Sequence, residues 1–125
     1  MENATTAEKL KEVNPDDLHP SYKPFSFAAW IHRGDCSILP GAQFKLYENG
    51  TTNWLCEIKS EDSGDEWDGY IVCTNANKLE LWRDHYHFNI NDGGVTKRWD
   101  ETRGPDLGKA HSYAEAFSIS FVCNC

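Results

Sequence analysis

Two carboxylates are the groups in this chain best placed to do chemistry, because each falls at an apolar register of a strand-like run. In Trp82-Arg83-Asp84-His85-Tyr86-His87-Phe88-Asn89-Ile90 the even positions are Trp82, Asp84, Tyr86, Phe88 and Ile90, so Asp84 shares a strand face with large apolar side chains. Glu115 has the parity of Tyr113, Phe117, Ile119 and Phe121. Burial among aromatics raises a carboxyl pKa toward the working pH, which lets one group move a proton while a neighbour stays ionised. If both faces line one interior, Asp84 donates or accepts the proton and Glu115 partners it. Tyr86 and Tyr113 then orient a substrate carbonyl, while Trp54, Trp82, Phe88 and Phe117 form the substrate wall. This is the chemistry of a cofactor-free cyclase or isomerase of the biosynthetic tailoring type, acting on a hydrophobic or aromatic small molecule. Three other readings stand beside it. Asp84 and Glu115 could be structural, paired with Arg83, Arg98 or a backbone amide; the same pocket could carry a ligand without chemistry; or exposed Trp side chains could bind another protein.

A second constellation is His85-Tyr86-His87, two imidazoles at i and i+2 on one strand face, a spacing that can present two metal ligands. His32, His111, Asp100 and Glu101 are the candidates to complete it. Arg83, His85, His87 and Asn89 also make a coherent solvated face, and no metal or other cofactor is expected. Asp62, Asp65, Glu66 and Asp68 supply calcium-type oxygen ligands without the EF-hand spacing, which reads as a solvated loop. No G-x-S-x-G, Walker A or G-x-G-x-x-G motif occurs, which removes the common routes to serine hydrolysis and nucleotide binding.

These groups need a scaffold, and the composition points to a small β domain. The chain has 125 residues, five of them Trp, and a mean hydropathy of −0.66, so its apolar material sits in a few bulky side chains among polar ones. A formal charge of −8 repels phosphate backbones and anionic lipid, excluding nucleic acid and membrane surfaces as expected partners. There is no signal-peptide pattern and no run of about 18 apolar residues, so a cytoplasmic protein is expected. Five cysteines, an odd number, then read as free thiols by default, with Cys36 joined to Cys123 or Cys125 as the alternative under oxidation.

Residues 1–23 read as a polar extension with one helix-like stretch, Ala7 to Val13, before Asn14-Pro15. Residues 24–125 read as one domain. Phe25, Phe27, Ala29 and Ile31 alternate as a first strand, and Gln43–Tyr47 and Thr51–Ile58 flank Asn49-Gly50 as a hairpin. Further strands are expected at Gly69–Thr74, within Lys78–Ile90 up to the turn Asn91-Asp92-Gly93-Gly94, at Val95–Trp99 and at Tyr113–Cys123. The sum is an all-β antiparallel barrel or sandwich of about 6–8 strands.

Gly34-Asp35-Cys36, Gly41-x-x-Phe44-x-Leu46, Asn49-Gly50-Thr51 and Trp54 together resemble a small uncharacterised family of β-rich bacterial proteins, several of them actinobacterial. The resemblance covers the central third of the chain and its Cys-bearing end. It implies a β-rich fold and assigns no activity or catalytic residue. The polar N-terminus and the missing export signal depart from that family.

Overall fold

The computed structural model describes residues 3–9, 21–62, 64–91 and 93–125, and turns almost every alternating run into a strand. In chain order these are β1 (Asn3–Lys9), β2 (Tyr22–Phe27), β3 (Ile31–Arg33), β4 (Cys36–Ile38), β5 (Ala42–Tyr47), β6 (Thr52–Ser60), β7 (Glu66–Thr74), β8 (Glu80–Asn89), β9 (Thr96–Arg103) and β10 (Ser118–Asn124). A short helix α1 (Leu107–Ser112) and a 3-10 turn (Tyr113–Glu115) lie between β9 and β10. The fold is all-β and every described pairing is antiparallel. The ten strands among the described residues exceed the expected number because the sequence pattern missed β1 and β4 and fused β2 with β3.

The sheet runs β8-β7-β10-β1-β2-β5-β6-β9, and the β3-β4 hairpin continues the β6 edge beyond β5. It curls into a half-barrel whose outer strands, β8 and β9, meet through side chains. There the Arg103 guanidinium of β9 donates to the His85 carbonyl of β8 at 2.6 Å. Strand register puts Thr52, Arg103, Thr74 and Ser118 at one end of the half-barrel, with α1. Ser60, Thr96 and Asn124 fall at the other.

Aromatic side chains fill the inner face. Trp54 packs edge-on against Phe27 at 5.6 Å and Trp99 at 5.9 Å, and lies 5.3 Å from Phe121. Such pairs add about 0.5–1.5 kcal/mol each beyond the apolar area they bury. Thr52, Trp54, Cys56 and Ile58 are all buried, as their shared parity requires.

Asn49-Gly50 does form the β5–β6 turn, with Gly50 at φ +88°. Any Cβ there would also strike the backbone of Asp106, so this glycine lets the turn touch the start of α1.

Two local expectations fail. Ala7 to Lys9 lie in β1, which pairs with both β10 and β2, so the N-terminal extension supplies a strand and the buried Ala7. The rest of the helix-like stretch, with Asn14-Pro15, lies outside the described residues, as do Ser63 of the acidic loop and Asp92 of the turn after β8. The first expected strand breaks at residues 28–30, all exposed. Because β5 and β4 occupy successive stretches of one β6 edge, the chain must bend there to pair with each in turn.

Candidate functional site

The inner face of β8 carries Trp82, Asp84 and Tyr86 toward the α1 end, and two other elements, α1 and β9, close over them. Lys109 of α1 places its ammonium 3.0 Å from Asp84 Oδ2 and 5.0 Å from the centre of the Trp82 ring. Arg103, ending β9, lies 3.8 Å from the same carboxylate oxygen and 3.8 Å above the Tyr86 ring, with Glu101 holding it at 2.7 Å. Asp84 and Lys109 are only 16% and 11% exposed, so this carboxylate is compensated inside the protein and not by solvent.

Beneath the ion pairs Trp82 Nε1 is buried without a hydrogen-bond partner, whereas the buried Thr52 and Tyr86 hydroxyls interact with each other; Trp54 Nε1 and Trp67 Nε1 are likewise unpartnered in the aromatic core. Buried polar atoms are almost always satisfied by protein, water or ligand. Burial pushes the Tyr86 phenol up to about 12; the nearby Thr52 hydroxyl and Arg103 oppose the shift, while Asp84 and Glu101 add to it. At neutral pH Tyr86 is therefore a neutral donor facing a compensated carboxylate.

The lid over this mouth is weakly built. Asp106 caps α1 by accepting the Lys109 backbone N–H at 2.8 Å, and that bond holds the Asp106 carboxyl below the usual carboxylate range. No residue of α1 is buried, and Leu107 is 73% exposed. The helix is held by Lys109, by its cap and by the approach of Gly50, with no apolar face of its own in the core.

The other predicted site residues are scattered. Glu115 lies exposed in the 3-10 turn and Phe117 is 54% exposed, because β10 starts only at Ser118 and parity does not extend back through a helical turn. Both line an outward cavity of about 320 Å³ beside Lys23 and Asn75, away from the Asp84 carboxylate and its two cations. Tyr113 packs against the core edge with the Lys23 ammonium 4.9 Å from its ring. Trp54 is wholly buried in the aromatic packing, and Phe88 packs against Trp99 with ring centres 5.2 Å apart and planes tilted by 38°. Asp84, Tyr86 and Trp82 are thus brought together without Glu115.

Three residues at this end of the half-barrel escaped the sequence reading, two of them at Asp84. Arg103 and Lys109 lie where no alternation marks a face. Lys23 looked like part of a tail, yet it is buried and donates to the carbonyls of Tyr113 at 2.7 Å and Ala116 at 3.1 Å, anchoring the chain after α1.

His85 and His87 do sit on the outer face of β8, each bonded to its own β7 carboxylate: Asp68 at 2.5 Å and Glu66 at 2.8 Å. Among the described residues the only three metal-type ligands that converge are Asp35, Asp62 and Asp65, at the opposite end. The hydrogen bond that protonated Asp62 donates to the Asp35 carboxylate, together with the negative charges of Asp35 and Asp65, raises the Asp62 carboxyl above its ordinary range. Buried Ser60 bridges this group, donating to Asp65 at 2.6 Å.

The expectation of free thiols is corrected for Cys36 and Cys125, one of the two pairings named as the alternative, which form a disulfide across 89 residues of chain, and holds for Cys56 and Cys73. Burial pushes the Cys56 and Cys73 thiols up, Cys73 to about 12, so neither is a nucleophile at neutral pH. A further cavity of about 420 Å³ lies over the β6–β9 surface, between Pro40, Leu55 and Lys97.

Fold and site define a class: a curled antiparallel half-barrel with a packed aromatic interior and a charged, helix-capped end. Within that class the chain belongs to a family of unknown function, DUF6294, whose profile matches residues 43–125. The matched stretch contains Asp84, Tyr86, Arg103 and Lys109, and starts after Gly34-Asp35-Cys36. No curated protein and no solved structure matches the chain. No helix among the described residues is long and apolar enough to cross a membrane.

Proposed function

We propose that the protein binds a small aromatic or hydrophobic molecule bearing a carbonyl or hydroxyl group at the mouth beneath α1. The observation that carries this reading is a largely buried Asp84 flanked on its strand by the unpartnered Trp82 indole N–H and by the Tyr86 phenol, whose hydroxyl meets only that of Thr52. Trp82 Nε1 and Tyr86 OH are donors suited to a carbonyl oxygen, Asp84 is an acceptor suited to a hydroxyl, and the indole and phenol rings supply apolar walls. The ligand reaches them when Lys109 releases Asp84 and α1 lifts, a motion that uncovers no buried apolar residue of the helix.

A second reading adds acid–base chemistry, as in a cofactor-free isomerase or cyclase. The neutral Tyr86 phenol beside Asp84 favours it: Tyr86 stabilises a developing enolate oxygen while Asp84 moves the proton. Without Glu115 in the cluster, this chemistry rests on a single carboxylate. The Cys36–Cys125 disulfide weighs toward an oxidising compartment and against the cytoplasmic expectation.

Saturation-transfer NMR with a panel of aromatic ketones, phenols and aryl carboxylates tests the reading. Binders are expected whose signal is lost in both Tyr86→Phe, which removes one hydroxyl, and Asp84→Asn. Ligands that bind both variants as well as the parent would locate the site elsewhere and end this proposal.

A further inference from the structure

Of the five tryptophans, Trp30 alone stands half in solvent, 50% exposed, at the bend between β2 and β3. Its indole lies nearly parallel to the His32 imidazole, with ring centres 5.6 Å apart and planes 8° from parallel. His32 is itself held, its Nδ1 2.9 Å from the Ser37 hydroxyl. Register continues this row across three paired strands, from His32 on β3 to Ser37 on β4 to Lys59 on β6. The result is a rigid polar floor with an aromatic wall. Asp35 in the β3–β4 turn and Glu61 after β6 close the far side, and together these groups line a cavity of about 320 Å³.

The cavity's chemistry narrows what fits. A phosphate-bearing ligand would face two carboxylates on a chain of net charge −8. A hydrophobic ligand would find one apolar wall and lose hydrogen bonds to the polar sides. A simple organic cation would meet the Lys59 ammonium. A ligand with one flat, weakly polar face and a rim of hydroxyls satisfies every group: the face lies on the indole, and the hydroxyls donate to Asp35 and Glu61 while accepting from Lys59 and Ser37. A pyranose ring has this shape, and the volume is at the small end of the ~300–1,000 Å³ usual for ligand sites.

We propose that the Trp30–His32 cavity is a carbohydrate-binding site for one or two sugar units of a neutral glycan, separate from the mouth over Asp84. The floor is fixed to the C-terminus, because Cys36 follows Asp35 directly and is disulfide-bonded to Cys125.

The test titrates the full chain with cellotetraose, chitotetraose, xylotetraose and maltotetraose to ~10 mM, above the millimolar range of weak sites, by calorimetry and tryptophan fluorescence. Saturable binding of at least one is expected. Trp30→Ala should weaken it at least ~10-fold, Asp35→Asn by several-fold, and Trp30→Phe should retain part of it. Circular dichroism of each variant should match the parent, since both side chains are exposed. Failure of all four sugars to bind would overturn the proposal, as would undiminished binding by a folded Trp30→Ala. Tighter binding of tetramethylammonium than of any sugar would make the cavity a cation cage and also overturn it.

Discussion

At the α1 end of the half-barrel the closure is built from ion pairs and hydrogen bonds: Lys109 on Asp84 at 3.0 Å, Arg103 on Glu101 at 2.7 Å, and a helix with no buried residue. At the opposite end a covalent bond, Cys36–Cys125, ties β4 to the residue after β10. Carboxylates gather at both ends with opposite consequences. Asp84 is half-hidden and matched by cations, whereas Asp35, Asp62 and Asp65 crowd one another near water. A covalent staple lets an end tolerate mutual repulsion, while an end closed without one must balance its charges and can open when that balance is disturbed.

The strongest way to break this contrast is to remove the staple. Cys36→Ser or Cys125→Ser should lower unfolding free energy by ~3–5 kcal/mol, because an 89-residue separation leaves a long loop unconstrained in the unfolded chain. Urea denaturation measures it, and a loss below ~1 kcal/mol would mean that the strands hold that end unaided.

Alkaline titration probes the other end from beneath. Tyr86 ionises near 10 when unfolded and near 12 in the fold, so above pH 10 the unfolded chain binds fewer protons and stability falls. The stabilisation is complete below pH 10 and lost as pH rises toward 12, with Tyr86 alone accounting for ~3 kcal/mol. Buried Cys73, shifted from 9.0 to about 12, acts in the same direction from pH 9 upward. In Tyr86→Phe the loss of stability between pH 10 and 12 should shrink, and an unchanged pH profile would remove Tyr86 as its source.

The smallest effects carry the sharpest sign. Lys109→Met should destabilise by about 1–2 kcal/mol, since Asp84 keeps only the more distant Arg103, and adding Asp84→Asn should restore most of it. Asp62→Asn should raise the thermal midpoint slightly at pH 7, because repulsion from Asp35 and Asp65 is relieved. Equal signs for Lys109→Met and Asp62→Asn would erase the distinction between the ends.

Much of the scaffold is legible residue by residue. The alternation in β8 put Trp82, Asp84 and Tyr86 on one face and Arg83, His85 and His87 on the other, and the burial of Tyr86 with the exposure of the two imidazoles makes the first face the inner one. Asn49-Gly50 marked its hairpin because a tight turn needs positive φ at the glycine. The same logic failed for Glu115 and Phe117, since a 3-10 turn interrupts the period of two. It also missed β1, whose Asn-Ala-Thr-Thr-Ala run is too polar to announce a strand and is stabilised by pairing on both sides.

The amino-acid sequence by itself determined the β class, the faces of the longer strands and the exclusion of the common catalytic motifs, because side-chain parity and turn chemistry act over a few residues. Tertiary structure alone decided that Lys109 and Arg103 cover Asp84, that Cys36 meets Cys125, and that Trp30 fronts a cavity with Lys59 and Glu61. Those groups lie far apart in the chain, and only the curl of the sheet and the order of its strands bring them within bonding distance.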